Sequence, residues 1–160
     1  MKVVQGSAKA PSSEASDADI LRYLFDLEAI KTLKADYGRI VDGVVSDHGD
    51  AKIDEFDAVF AVDSVAEFPN TLGRHEGREA IKALFSVDLA TTRSCMWHSF
   101  HSPIIRIDGD VAKGQWTIVA RVKLRGAEAE PPSIVYGRYF EDYVRTVDGW
   151  RIKNLLFKKE

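Results

Sequence analysis

The feature that most constrains this chain is its second half. Residues 95–107, 110–124, 133–146 and 150–158 are four runs dense in Val, Ile, Tyr, Phe and Trp, side chains that suit a pleated, half-buried surface. Asp108-Gly109-Asp110 and Asp148-Gly149 punctuate them, and short Asp-Gly steps of this kind join antiparallel neighbours. A polar segment ending in Pro131-Pro132 separates the middle two runs. Four long strands in a meander form a strongly curved sheet. Its inner face needs an apolar cover.

The first half supplies that cover. Projected at 100° per residue, residues 20–45 place Ile20, Leu24, Leu27, Ile30, Tyr37, Val41 and Val45 on one broad face, the pattern of an amphipathic helix. Asp17 or Asp19 suits its N-cap. Gly38 weakens the helix, and Gly43 lies near its end. Residues 46–50 read as a polar loop carrying an exposed His48. Residues 52–61 suit a short helix with Ile53, Phe56, Val59 and Phe60 on one side. Residues 64–68 read as a strand, 69–73 as a turn, 73–79 as a solvated loop leading into a helix, and 77–88 as a third helix. Helices followed by a strand meander mean an α+β fold. A long curved sheet closed by helices leaves a cavity open at one end.

Composition bounds the function. The 160 residues suit one domain, residues 19–160, behind a small polar leader over 1–18. A formal net charge of -3 argues against a general nucleic-acid binder. The single cysteine, Cys95, excludes an intramolecular disulfide framework and a cysteine-based metal site. No apolar run reaches the roughly 18–20 residues of a membrane helix, and the N-terminus has no apolar h-region of a signal peptide. A cytoplasmic protein with no membrane partner is the expectation.

Few residues can carry chemistry. Asp42 falls at the margin of the apolar helical face, where a carboxylate is costly without a partner; an aspartate of the last turns that simply reaches solvent is the plain alternative. Lys34 falls inside the same apolar sector, as does Tyr37, which reads most simply as a core tyrosine. His98 and His101 have the spacing of a metal pair on a helix. On a strand they point to opposite faces, so no metal site is expected, and one histidine faces the cavity while the other packs outside. Alternation alone does not say which, because Pro103 can introduce a bulge. An Asp–His pair in an apolar pocket would be a proton-transfer device: the carboxylate fixes the imidazole tautomer and stabilises its cation. Ser94 and Ser99 lack the context of a nucleophile, and Cys95 reads as an inert thiol.

These residues resemble those of a known family. Leu27 to Tyr37 followed by Asp42, then Phe60 to Val65, Gly77-Arg78-Glu79-Ala80-Ile81, His98 to Pro103, Gly114-Gln115-Trp116, Tyr139 to Arg145 and Asp148 to Ile152 together resemble the SnoaL-like proteins of the nuclear-transport-factor-two-like superfamily. The resemblance covers about residues 19–158. It implies a cone-shaped, curved mixed sheet with three N-terminal helices enclosing an apolar pocket. It also points to bile-acid 7α-dehydratases, scytalone dehydratase and hexachlorocyclohexane dehydrochlorinase as the nearest patterns.

By that resemblance, His98, Asp42 and Tyr37 are the catalytic positions, and Phe68, His101, Trp116, Ala120 and Tyr139 line the substrate pocket. Phe68 stands where the dehydratases carry a tyrosine, and Ala120 where they carry a further acid. The expected function is a cofactor-independent, dehydratase-type lyase acting on a small, mostly apolar carbonyl compound such as a steroid, polyketide or aromatic. Two alternatives stay open: a non-catalytic binding module, and a ketosteroid-isomerase-like or polyketide-cyclase-like enzyme with Asp42 as the base. A homodimer or homotrimer is expected, since a curved open sheet usually covers its outer face.

Overall fold

The computed structural model describes residues 15–46, 49–127 and 129–160. Residues 1–14 of the leader expected over 1–18, and His48, lie outside the described residues. The chain begins with a long helix, α1 (Asp17–Val45). Its N-cap is Ser16, not Asp17 or Asp19. The Ser16 hydroxyl accepts the Asp19 N–H, and the Asp19 carboxylate accepts the Ser16 N–H. This reciprocal capping box satisfies two amides where a lone aspartate cap would satisfy one. Residues 17 and 18 therefore belong to the helix rather than the leader.

After α1 comes a 3-10 turn (Ile53–Ala58), shorter than the helix expected over 52–61. Strand β1 (Phe60–Phe68) and a short β2 (Gly73–Glu76) form a hairpin. β2 replaces the loop expected there: Arg74 and Glu76 read as solvated charge, and they stand on an exposed edge strand. Helix α2 (Arg78–Ala83) runs on through a π-helical turn, Leu84–Leu89, and a last short α-helical turn, Ala90–Thr92. Strands β3 (Arg93–Asp108), β4 (Val111–Leu124), β5 (Ser133–Thr146) and β6 (Gly149–Lys159) complete the molecule. Gly109 (φ 58°) and Gly149 (φ 105°) take the left-handed turn positions that the Asp-Gly steps predict.

The six strands among the described residues form one sheet in the order β2-β1-β6-β5-β4-β3. β1 runs parallel to β6, and every other neighbour pair is antiparallel. The architecture is a mixed α+β fold with a curved, unclosed sheet, the cone topology the sequence implies. β3 is an edge strand, and α1 packs along it.

Ile30, Tyr37, Val41 and Val45 of the projected face of α1 are buried, but the first turns differ: Ile20 and Leu24 are exposed while Asp26 is buried. Asp26 goes inward because Arg145 grips both its oxygens, at 2.8 and 2.6 Å, and the Trp150 indole N–H donates to it at 3.0 Å. Where a deep apolar pocket is expected, aromatic rings meet: Tyr37, Phe56, Phe60 and Phe85 lie 5.3–6.2 Å apart by centroid. Such offset and edge contacts add to the burial of each ring. Open space lies at the seam between α1 and β3.

Candidate active site

Asp42 sits in the penultimate turn of α1, and His98 near the start of β3. Asp42 Oδ1 is 2.6 Å from His98 Nδ1, and Oδ2 accepts the main-chain N–H of His98 at 2.8 Å. A carboxylate only accepts, so Nδ1 carries a proton. The Nε2 lone pair of the neutral ring is then left for another partner. The His98 side chain is 4% exposed and that of Asp42 is 24%. Two bonds from one carboxylate fix both the backbone and the ring of His98.

Strand alternation separates the two histidines. His98 and Phe100 face α1, with their rings stacked at 5.8 Å and 18°. Trp97, Ser99 and His101 face outward, lining a shallow groove with Val119 and Arg121. The bulge at Pro103 begins after His101, where Ser102 takes φ 49°, so alternation from 95 to 101 is regular. His101 therefore does not belong to the space before His98, as its place in the expected pocket would require.

That space is a cleft of about 420 Å³ in which Lys34, Gly38 and Asp42 of α1 oppose His98 and Phe100 of β3, with Trp116 of β4 at its base. Gly38 has a steric reason. A Cβ there would lie 2.6 Å from Phe100 Cε2, well inside van der Waals contact. Glycine lets the ring lie against the helix.

Sequence reasoning missed the second polar group of this cleft. Lys34 is fully buried, and its ammonium donates to Glu141 Oε1 at 2.5 Å. The other Glu141 oxygen accepts the Tyr143 hydroxyl, which itself accepts the Trp116 indole N–H at 2.9 Å. Ring faces of Tyr139, Tyr37 and Phe100 lie 3.8, 4.2 and 4.4 Å from Nζ, the geometry of cation–π attraction. Burial pulls the Lys34 pKa down to about 8, against the opposing pull of Glu141. The signal was present: a lysine in the apolar sector of α1, and a carboxylate on the inward period of β5 between Tyr139 and Tyr143.

The remaining predicted residues are spread unevenly. Trp116 lines the cleft. Ala120 pairs with His98 across the β3–β4 ladder and is buried. Tyr37 lies beneath the cleft rather than on its lining, 6.5 Å from the His98 ring, with its hydroxyl 3.3 Å from that of Tyr139. Burial, first, and the neighbouring Tyr139 raise the Tyr37 pKa well above 10.0, and burial raises that of Tyr139 as well. Both hydroxyls stay protonated. Phe68 packs between Phe85 and Phe157, away from His98. Among the described residues, no group of three or more His, Cys, Asp or Glu side chains is placed to hold a metal ion.

The model of the SnoaL-like domain matches residues 22–155. The chain belongs to the SnoaL-like family. No curated protein is significantly similar to this SnoaL-like protein in sequence. Solved structures share its fold. A candidate scytalone dehydratase from Novosphingobium aromaticivorans DSM 12444 is 22% identical, with 86% of each chain covered and a TM-score of 0.72. The hexachlorocyclohexane dehydrochlorinase LinA-type3 from Novosphingobium barchaimii LL02 is 16% identical, covering 88% of this chain and 90% of its own, with a TM-score of 0.74. A nuclear transport factor 2-like superfamily protein from Salmonella enterica subsp. enterica serovar Typhimurium str. LT2 is 15% identical, covering 86% of this chain and 92% of its own, with a TM-score of 0.74. In this SnoaL-like protein, no helix among the described residues is long and apolar enough to cross a membrane.

Proposed function

We propose that this protein is a small-molecule lyase of the dehydratase type, with Asp42 and His98 as a proton-transfer dyad. The observation that carries the reading is the pair of hydrogen bonds that Asp42 accepts from the ring and main chain of His98 where both line a cleft. His98 Nε2 takes a proton from the carbon next to a carbonyl. The electron pair left behind forms a carbon–carbon double bond as the β-hydroxyl departs, and the proton returns to that hydroxyl to give water. Asp42 holds the ring in the tautomer that leaves Nε2 free and stabilises its cation. A positioned base of this kind contributes roughly 10²–10⁴-fold in rate. Nothing in this route calls for a cofactor, because the carbonyl itself acidifies the carbon.

The structural neighbours support the class: they include a candidate scytalone dehydratase and a dehydrochlorinase, names that both denote eliminations. The aromatic walls of the cleft, Phe100 and Trp116, favour a planar, largely apolar molecule. The arrangement in which Asp42 is itself the base is less well supported, since both its oxygens already accept hydrogen bonds. Tyr37 lies beneath the cleft lining, and its hydroxyl proton is free for a carbonyl when Tyr139 is the donor of their contact.

A non-catalytic binding module is the second reading. Apolar Phe68 and Ala120, and a Tyr37 hydroxyl turned to Tyr139, favour it. One experiment separates the two. Purified protein is incubated with a panel of aromatic β-hydroxy ketones, and the release of unsaturated ketone is followed by absorbance. The lyase reading expects turnover that His98→Ala and Asp42→Asn both abolish. Bound ketone that returns unchanged from every incubation favours the binding module.

A further inference from the structure

We propose that Lys34 is a second catalytic residue of the cleft, whose ammonium receives the oxygen of a conjugated, enolisable carbonyl compound as that oxygen becomes anionic. The inference rests on the lyase reading above and narrows its substrate. Eliminations that pass through an enolate need such a charge. Loss of halide from a skeleton without a carbonyl forms no oxyanion and has no use for it.

Three observations lead here. Lys34 and His98 line the same cleft and abut the same ring: His98 stacks on Phe100 at 5.8 Å, and Lys34 Nζ lies 4.4 Å from its centroid. The Lys34 ammonium is desolvated, its side chain 1% exposed, so water does little to screen it and the charge it meets first is that of Glu141. Finally, it is held before any substrate arrives. Glu141 takes Nζ at 2.5 Å, the Tyr143 hydroxyl holds the other Glu141 oxygen, and the Trp116 indole holds Tyr143 at 2.9 Å. A preorganised charge needs no reorientation as the oxyanion forms, which is the main source of transition-state stabilisation in such sites.

Stability alone does not explain the pair. Apolar residues of similar volume serve a core as well as a buried ion pair does, or better, and Lys34 sits among Ile30, Leu33 and Tyr37, where an apolar side chain would fit the pattern. In the reaction, the Cα–H bond breaks and its proton goes to His98 Nε2. The electron pair moves onto the carbonyl oxygen opposite Lys34 Nζ. Collapse of the enolate then expels the β-hydroxyl, which leaves as water with the proton from His98.

The test uses 4-nitrophenolate, a planar anion that mimics an enolate, and nitrobenzene, which has the same ring and no charge. On wild-type protein, 4-nitrophenolate binds in its ionised, coloured form, and the Lys34 ¹⁵Nζ resonance shifts on its addition but not with nitrobenzene. In Lys34→Met/Glu141→Gln, which removes both charges together, affinity for the phenolate falls about 10-fold or more, the loss expected for one charged hydrogen bond, while nitrobenzene binds as before. Phenolate binding needs no turnover, so a failed lyase assay and a failed Lys34 assignment give different results. The proposal is overturned if wild-type protein does not bind 4-nitrophenolate, if the Lys34 resonance stays still, or if the double variant binds it as tightly as wild type.

Discussion

Asp42 grips His98 twice, at 2.6 Å on ring Nδ1 and 2.8 Å on the main-chain N–H. The two bonds do different work. The main-chain bond ties the penultimate turn of α1 to β3, and the ring bond sets which nitrogen carries the proton. Asp42→Asn should separate them. One amide oxygen can still accept the main-chain N–H, but the amide NH₂ would then face Nδ1 and favour the other tautomer. In ¹⁵N-edited NMR, the His98 ring is expected as the Nδ1–H form in wild type and the Nε2–H form in Asp42→Asn, with the fold intact. An Nε2–H ring in the wild-type protein would contradict the geometry.

Gly38 lies in the interior of α1, where alanine normally gains roughly 0.5–1 kcal/mol over glycine. Here the new Cβ would come within 2.6 Å of Phe100 Cε2. Phe100 is held between His98 and Lys34, so it cannot swing away freely. Gly38→Ala is therefore expected to lower stability by about 1–3 kcal/mol, the range for overpacked sites. Urea unfolding measures it, and a stabilised variant would show that the ring moves easily.

Asp26, Arg145 and Trp150 clamp the first half of α1 to the far end of the sheet. The Arg145 hydrogen bonds are the main reason that the Asp26 pKa lies below its ordinary 3.8, with burial opposing them. A carboxyl with a lowered folded-state pKa contributes stability above the unfolded value and loses it as pH falls through the folded one. Asp26→Asn should thus cost about 1.5–3 kcal/mol at neutral pH. The gap to wild type should stay constant down to about pH 5 and close below 3.8. Unfolding curves at pH 7 and pH 3 read this directly.

The outer face of the sheet bears on assembly. Trp97, Arg121 and Ile134 form one cross-strand row, and Ser99, Val119 and Tyr136 form the next. Trp97 is 64% exposed and Tyr136 55%, large apolar surfaces of the kind that mark interfaces. Self-association as a dimer or trimer through this face is the expectation. Sedimentation should show an oligomer for wild type and a monomer for Trp97→Asp/Tyr136→Asp. A wild-type monomer would reject it.

Much of this was legible in the sequence because periodicity and turn chemistry are local. The four long strands, the Asp-Gly turns and α1 fell where the patterns placed them. β2 was not legible, since Arg74 and Glu76 on an edge strand look like a charged loop. The register of α1 was misjudged in its first turns because Asp26 is inward only through Arg145, over a hundred residues away. The meeting of Asp42 with His98 is likewise a tertiary fact, though both residues stood out. Alternation predicted that the two histidines would part and left open which would face inward. Lys34 and Glu141 were hidden by their partnership: each alone looks like a misplaced charge, and only the packing of α1 on β5 makes them a pair.

The central claim is that His98, held by Asp42, abstracts a proton from carbon. Its most direct test is deuterium exchange at the carbon between ring and carbonyl of 2-tetralone, an apolar aromatic ketone, followed by ¹H NMR in D₂O. The account predicts exchange above the buffer rate in the wild-type protein, reduced at least about 10²-fold in His98→Ala and in Asp42→Asn and unchanged in His101→Ala. Exchange that persists undiminished in His98→Ala, or that wild-type protein does not accelerate, would contradict it.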